Sequence, residues 1–185
     1  MPTKIKYPDF KLYVGCGLTH ASEKFKKEVQ ELKDELSKVC PVLDFLGVVN
    51  GTPHDVYVHD IINCVGSCDL MAGICDEPST GLGWEMATQV LVRKKPLLAF
   101  GHEDTKITRL VLDPQLPGYE FIRYKNFFQV YDKIVEKVKE ISEQRVIVPL
   151  LKLELNSAAK QVLEISDDDS KKVRDPEWEN GSTGM

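Results

Sequence analysis

"DLMAGICDEPSTGLGWEMATQVLVRKKPLLAF", residues 69–100, is the stretch that decides the fold. Residues 69–75 are apolar almost throughout, which predicts a strand buried on both faces of a parallel sheet. Residues 82–95 predict a helix, and residues 96–100 predict a second strand. A strand, a helix and a strand in this order predict a parallel β-α-β unit with a right-handed crossover.

The same alternation of short apolar runs and amphipathic runs continues on both sides of this unit. Further strands are predicted over 11–15, 42–49 and 119–124, and further helices over 20–40 (capped by Ser22), 55–67 and 126–145. Five strands in this rhythm fit an α/β fold with a flavodoxin-like (Rossmann-like), doubly wound parallel sheet in the order 2-1-3-4-5. Strands 1 and 3 are then neighbours at the topological switch point. The loops 15–20 and 76–83 are therefore expected to converge on one crevice.

Length and composition predict one globular domain, because 185 residues with 42% hydrophobic content suffice for a sizeable core. We assign that domain to residues 1–145 and expect residues 146–185 to form an apolar arm followed by an acidic, flexible tail. The net charge of -5 argues against nucleic acid as a partner. We also expect no membrane segment. Five cysteines without CxxC spacing predict a reducing, cytoplasmic location.

Glu85 stands just past the glycine-rich turn of the opening stretch. If the helix begins at Leu82, this carboxylate lies in the first turn, where the helix dipole would keep it ionised. An ionised carboxylate that faces a crevice can act as a nucleophile or stabilise an oxocarbenium ion. A first-turn acid can also do no more than complement the dipole, and the spacing alone leaves both interpretations open.

The turn before Glu85 has the composition of an anion site. Gly81 and Gly83 allow a ligand to approach the backbone amides, and Ser79 and Thr80 add hydroxyl donors. The turn is not a Walker loop, because no GK[ST] follows, and it lacks the GxGxxG dinucleotide fingerprint. A glycine-rich turn of this kind is often purely structural.

Three motifs together resemble the nucleoside 2-deoxyribosyltransferase family, which includes the nucleoside 5'-monophosphate N-glycosidases. They are "LYVGCGL" (12–18), "HDIINCVGSCDLMAGI" (59–74) and "STGLGWEMATQVLVRKKPLLAF" (79–100), and the match extends over about residues 11–101. The resemblance implies that Glu85 is a nucleophile that forms a glycosyl-enzyme intermediate. It implies that Asp60 assists the departure or arrival of the base, and that the Tyr13 hydroxyl orients the nucleophile.

The same resemblance implies a small-molecule partner, a nucleoside or nucleotide, and a homodimer or larger homo-oligomer. Ser79 occupies the position at which the monophosphate hydrolases have serine and typical deoxyribosyltransferases have aspartate, which favours a 5'-phosphate. Gly15 and His20, in the first loop, are further candidates for substrate or phosphate binding, and His20 would more simply begin the helix predicted over 20–40. That loop lacks the arginine or proline common in the family. Three points stay open at this stage. They are whether water or a second base accepts the sugar, which base is cleaved, and whether the sugar is ribose or deoxyribose.

Elementary chemistry supports a pairing of Asp60 and Glu85. Cleavage of an N-glycosidic bond needs a stabilised cationic sugar and a protonated leaving base, and two carboxylates with separated pKa values can divide these tasks. Without the resemblance, Asp60 would more simply be an exposed acid on a helix.

Other polar residues predict no additional chemistry. The histidines lack paired ligand spacing, so we expect no metal, and we expect no cofactor. We expect Cys64 and Cys68 to be packing residues. The basic run 93–95 is expected to be a solvated helix end. Two other functions are kept as alternatives: a non-catalytic nucleotide-binding or sensing module of the same fold, and a flavodoxin-like FMN carrier.

Overall fold

The computed structural model of the chain describes residues 5–43 and 51–147. The strands are β1 Leu12–Cys16, β2 Val42–Leu43, β3 Leu70–Ile74, β4 Leu97–His102 and β5 Tyr119–Tyr124. The α-helices are α1 Glu23–Leu36, α2 Pro53–Tyr57, α3 Thr80–Ala87, α4 Arg109–Leu112 and α5 Phe127–Ile147. No helix of the described ranges combines the length and the apolarity that crossing a membrane requires.

The five strands form one parallel sheet in the order β2-β1-β3-β4-β5. The predicted flavodoxin-like α/β topology is therefore confirmed. In the central pair, Tyr13 of β1 is in register with Met71 of β3, and Gly15 is in register with Gly73. The switch point lies between these two strands, as their order requires.

Two helices lead directly into π-helical segments. The segment π1, Val58–Val65, continues α2, and the segment π2, Thr88–Val92, continues α3. The amide of Gly66 donates to the carbonyl of Ile61 at 2.7 Å, five residues back, which is the bond that defines this wider helix. Short π segments of this kind are frequent at functional sites.

The side chains of the strands alternate between two hydrophobic cores, one on each face of the sheet. One core, which includes Leu12 and Val14, packs against α1 and α5. The other core, which includes Tyr13 and Met71, packs against π1, α3 and π2. Because Tyr13 belongs to the second face, any polar site built around its hydroxyl faces π1 and α3.

The structure differs from the sequence-based expectations mainly at the ends of elements. Helix α1 is shorter than the predicted 20–40, although its cap is Ser22 as expected, with its hydroxyl accepting from the amide of Phe25. The four-residue helix α4 was missed. Of the predicted strand 42–49, only the first two residues are described, and residues 44–50 lie outside the described ranges. The predicted arm and tail also lie outside them beyond Ile147.

Candidate active site

The centre of the site is a buried contact between β1 and α3. The hydroxyl of Tyr13 donates a hydrogen bond to Oε2 of Glu85 at 3.1 Å, and Glu85 is only 8% exposed. Glu85 lies on the face of α3 that also buries Leu82 and Met86, so packing of that apolar face draws the carboxylate inward. The resemblance to the family paired these two residues, and the structure brings them together.

Gly15 makes room for the carboxylate. A Cβ atom at Gly15 would lie 2.8 Å from Oε2 of Glu85 and 3.1 Å from the side chains of Leu82 and Met71. A carbon atom cannot approach an oxygen that closely without displacing it, so a larger residue at position 15 would expel the carboxylate from its site. Gly15 therefore shapes the pocket of the carboxylate from the side of β1.

Asp60, on π1, is the third member of the group. It is buried, and its Oδ1 has no hydrogen-bond partner among the described residues. Its charge is close enough to raise the pKa of both Glu85 and Tyr13. Burial raises the pKa of Asp60 itself, although His59 acts in the opposite direction. A buried, unsatisfied carboxylate oxygen is costly, and such an atom in a cleft is typically directed at a ligand.

The expected ionisation of Glu85 by the helix dipole is wrong. Helix α3 begins at Thr80 rather than Leu82, so Glu85 lies beyond the first turn, and the dipole effect falls off within that turn. Burial raises the pKa of Glu85 to about 7, with the Tyr13 hydrogen bond lowering it and the charge of Asp60 raising it. Burial in the fold therefore favours the protonated form of Glu85, the opposite of what the helix dipole predicts.

Lys33 is a buried cation that the sequence analysis overlooked. It lies on α1, is buried, and its charge acts to lower the pKa of Glu85. A signal was present in the sequence, because Lys33 is four residues after Val29 and three before Leu36, both of which are buried on the same helix face. A lysine on the apolar stripe of a helix is a candidate for an electrostatic role.

The glycine-rich turn forms the start of α3. Ser79 is the N-cap, and its hydroxyl oxygen accepts from the amide of Leu82 at 3.1 Å. The helix start leaves the amides of Thr80 and Gly81 without an intrahelical acceptor. A Cβ at Gly83 would meet nothing within 4 Å, and one at Gly81 would meet only the Ser79 hydroxyl, at 3.7 Å. Packing therefore does not require either glycine, and the space above both is open.

The two predicted crevice loops are in contact. A Cβ at Gly17 would lie 2.8 Å from the carbonyl oxygen of Glu77 and 3.0 Å from the Cβ of Ser79. At the start of the second loop, the carboxylate of Asp76 accepts from the backbone amide of His102 at 2.6 Å and from the hydroxyl of Tyr124. These bonds fasten the loop to the ends of β4 and β5.

Arg93 is not the solvated residue that the sequence predicted. Its guanidinium donates to the carbonyl oxygens of Val65 and Cys68, and to Oε1 of Gln89 at 3.1 Å. Buried Gln89 in turn donates to the carbonyl of Pro96 at 3.1 Å. These bonds connect the end of π1 to the end of π2. They fix the distance between the helix that carries Asp60 and the helix that carries Glu85.

The remaining candidates contribute less to this geometry. His20 lies exposed in the loop between β1 and α1, three residues before the helix begins. Cys64 and Cys68 are buried in the core beside Tyr13, which agrees with a packing role. Among the described residues, no group of three histidine, cysteine or acidic side chains is placed to hold a metal ion.

A separate cavity of about 930 Å³ lies between α1 and α5, on the opposite face of the sheet from Glu85. Two of its carboxylates form ion pairs within α1, Glu28 with Lys24 at 3.8 Å and Glu31 with Lys27 at 3.6 Å. The buried carboxylates of Asp60 and Glu85, whose pKa values are raised, are the stronger candidates for chemistry.

Comparison with known proteins finds structural neighbours but no sequence relatives. No protein-family model and no curated protein matches the chain. Among solved structures, it is similar to the CMP N-glycosidase BcmB of Clostridium botulinum, with 15% identity, 70% of this chain and 98% of that chain covered, and a TM-score of 0.46. It is also similar to a 2-deoxyribosyltransferase from Leishmania mexicana, with 12% identity, coverage of 69% and 97%, and a TM-score of 0.48.

Both neighbours are in the nucleoside 2-deoxyribosyltransferase family, which is the family that the sequence motifs resemble. At this level of identity and of TM-score, the likeness concerns the course of the chain.

Proposed function

We propose that this chain is an enzyme that cleaves the N-glycosidic bond of nucleoside 5'-monophosphates, or of nucleosides. The observation that carries the proposal is the buried hydrogen bond between Tyr13 and Glu85, beside a second buried carboxylate, Asp60. Two carboxylates and an orienting hydroxyl at the switch point of an α/β sheet are suited to glycosyl chemistry.

In the first step, a carboxylate oxygen of Glu85 attacks the anomeric carbon of the sugar. The bond between that carbon and the base nitrogen breaks, and the base leaves with the electron pair and takes a proton. A covalent glycosyl ester on Glu85 remains. In the second step, water or another base attacks the same carbon and loses a proton, which releases the sugar and restores the carboxylate.

Asp60 supplies the proton to the leaving base in this proposal. Burial raises its pKa, and a raised pKa favours the neutral carboxylic acid, which is the form that can donate. Its Oδ1, which has no hydrogen-bond partner among the described residues, is available to the base. Glu85 must be ionised while Asp60 is protonated, so the pair works only while it holds a single proton.

The start of α3 binds the 5'-phosphate. The amides of Thr80 and Gly81, together with the Ser79 hydroxyl, are donors at the positive end of a helix. The open space above Gly81 and Gly83 lets a phosphate approach the backbone. Neutral Ser79 favours the monophosphate over the nucleoside, because an aspartate at this position would repel a dianion.

We further propose that the chain works as a homodimer or larger homo-oligomer in the cytoplasm. Ile62 of π1 and Leu91 of π2 are exposed apolar side chains on the helices that carry the two carboxylates, and a second copy would bury them. The five cysteines all lie in the described ranges and none forms a disulfide, which suits a reducing compartment.

The test is incubation of the purified chain with a panel of ribo- and deoxyribonucleosides and their 5'-monophosphates, with the released base quantified by chromatography. We expect release from at least one monophosphate, and none from the Glu85→Gln variant. A parallel reaction with a second free base separates transfer of the sugar from hydrolysis. Tight binding of nucleotides without release of any base would overturn the enzymatic proposal in favour of a sensing module.

A further inference from the structure

Three aromatic rings form a row between α2 and α3. The rings of Tyr57 and Trp84 have centroids 6.2 Å apart with an interplanar angle of 50°, and the ring of His54 stacks on Tyr57 at 6.4 Å and 25°. Trp84 is 65% exposed and Tyr57 is 41% exposed. We refer to Tyr57 and Trp84 as the ring pair.

The ring pair lies on the loop side of the two carboxylates. Helices α2 and α3 each follow a strand of a parallel sheet, so both run away from the carboxyl edge, where the crevice opens. Tyr57 precedes Asp60 by three residues, and Trp84 immediately precedes Glu85. Both rings are therefore attached to their helices at positions nearer the carboxyl edge of the sheet than the two carboxylates are.

The exposure of the ring pair needs an explanation. An indole that leaves 65% of its surface in water gives up much of the burial that an aromatic residue offers a fold. Exposed aromatic rings beside a polar cleft are typical of ligand contacts, because a flat ring offers a large surface at a small cost in conformational entropy.

We propose that Tyr57 and Trp84 bind the base of the substrate by stacking, and so select for a base-carrying ligand over a bare sugar phosphate. This inference rests on the proposed function, which places the sugar at Glu85 and the base beside Asp60. A base protonated by Asp60 lies against the helix that carries Asp60, and Tyr57 precedes Asp60 by three residues on the same helix. Every nucleobase has two flat faces, so stacking suits any of them.

The experiment measures binding separately from catalysis. The sequence contains two tryptophans, so Trp178→Phe leaves Trp84 as the single indole, and Glu85→Gln prevents turnover. In this double variant, we expect a nucleoside 5'-monophosphate to quench the indole fluorescence, whereas ribose 5-phosphate, which lacks a base, leaves it unchanged.

Calorimetry on the Glu85→Gln background then separates the base contact from the phosphate contact. Trp84→Ala should lower the affinity for the monophosphate by about 5- to 150-fold, which is the range expected for one base–aromatic stack. The affinity for ribose 5-phosphate should change by less than about twofold. Trp84→Phe should retain most of the affinity. Val92→Ala is the matched control, because Val92 is an apolar side chain on π2 with 75% exposure, and it should change neither affinity.

Several results would overturn the inference. Equal losses for both ligands would mean that Trp84 holds the shape of the site, and no loss for either would mean that it does not contact the base. A change of molecular mass by sedimentation in Trp84→Ala, with unchanged affinity for the monophosphate, would mean that the ring pair contacts another copy of the chain. If the wild-type chain releases no base and binds no monophosphate, the proposed function fails as well. Normal release by wild type and Trp84→Ala alike overturns the stacking inference alone.

Discussion

The hydroxyl of Tyr13 and the carboxylate of Glu85, 72 positions apart in the sequence, form a buried hydrogen bond of 3.1 Å. Burial, followed by the charges of Glu85 and Asp60, raises the pKa of Tyr13 well above its ordinary value, so the hydroxyl keeps its proton and remains a donor. The bond stabilises the ionised form of Glu85 against the larger effect of burial. The balance of these two effects leads to the first predictions.

Glu85→Gln should lower activity and raise stability at the same time. Loss of the nucleophile is expected to reduce turnover by several orders of magnitude. The pKa of Glu85 rises from 4.5 to about 7 on folding, so the wild-type chain loses stability as the pH rises through this interval. Above pH 7 the wild-type chain has lost on the order of 3 kcal/mol of its free energy of unfolding. The variant has no carboxyl group at this position and does not lose it.

Urea unfolding at pH 4.5 and pH 8 measures this effect. The gain in the variant should be large at pH 8 and small at pH 4.5, where the folded wild-type chain holds the proton and the unfolded chain holds it about half of the time. Glu120→Gln, at an exposed glutamate of β5, is the control and should show no gain at either pH. Near-normal turnover of Glu85→Gln would contradict its role as the nucleophile.

Tyr13→Phe and Asp60→Asn should act on different limbs of the pH dependence of activity. The Tyr13 hydrogen bond lowers the pKa of Glu85, so its removal raises that pKa and shifts the acidic limb of kcat/KM to higher pH. The basic limb reports the loss of the single proton that the pair of carboxyl groups must hold, so Asp60→Asn should abolish that limb. Profiles between pH 5 and pH 9 measure both effects, and a basic limb that persists in Asp60→Asn would contradict the role assigned to Asp60.

Asp60→Asn should also depend on the leaving group. If Asp60 protonates the departing base, its loss slows cleavage of ordinary substrates more than cleavage of a substrate with an activated leaving group. Turnover of a matched substrate pair, followed at the pH optimum of the variant, tests this. An equal loss for the two substrates would indicate that Asp60 acts only on the structure of the site.

Gly83→Ala should stabilise the fold and weaken substrate binding. Glycine within a helix costs about 0.5–1 kcal/mol relative to alanine, and a Cβ at Gly83 would meet no atom within 4 Å. We expect a higher Tm together with a higher KM for monophosphates, because the added methyl group would occupy the space assigned to the phosphate. Gly15→Ala is the contrasting variant and should lower Tm, since its Cβ would overlap Glu85. A higher Tm with an unchanged KM would show that the phosphate does not bind beside Gly83.

Ser79→Asp should reverse the preference between a monophosphate and its nucleoside. Two or three charge-assisted bonds of about 1.5–3 kcal/mol each imply a wild-type preference of roughly a hundredfold or more in kcat/KM for the monophosphate. Aspartate is as good an N-cap as serine, so the start of α3 is kept while a repulsive charge is added. Ser79→Asn keeps the cap without the charge and serves as the control. A wild-type preference for the free nucleoside would contradict the phosphate assignment.

The topology of the sheet follows from local sequence because its signals are local. Strand β5 has the predicted bounds, 119–124, since the turn-forming stretch 113–118 (DPQLPG) precedes it and Lys125 and Asn126 follow it. The cap of α1 could be predicted because it is local: the hydroxyl of Ser22 accepts from the amide of Phe25, only three residues further along the chain. The predicted strand order brought the loops 15–20 and 76–83 to one crevice, but the roles of Tyr13, Asp60 and Glu85 came from the family resemblance.

Features that depend on burial were beyond the reach of the sequence. The ionisation of Glu85 was misjudged because it is set by desolvation among residues of β1, π1 and α3 rather than by its position in one helix. Arg93 looked like a solvated residue because its acceptors, Val65 and Cys68, are backbone carbonyls 28 and 25 positions away. Backbone acceptors leave no trace in composition or spacing.

The bonds of Gln89 and Arg93 join π1 and π2 at the ends that point away from the crevice. The two helices are thus joined by hydrogen bonds at one end, whereas at the other end they meet through the exposed rings of Tyr57 and Trp84. Substitutions of these rings can accumulate without breaking the hydrogen bonds at the far end. Natural or laboratory selection can therefore change which ligand binds at the rings while the distance between the two carboxylates stays the same.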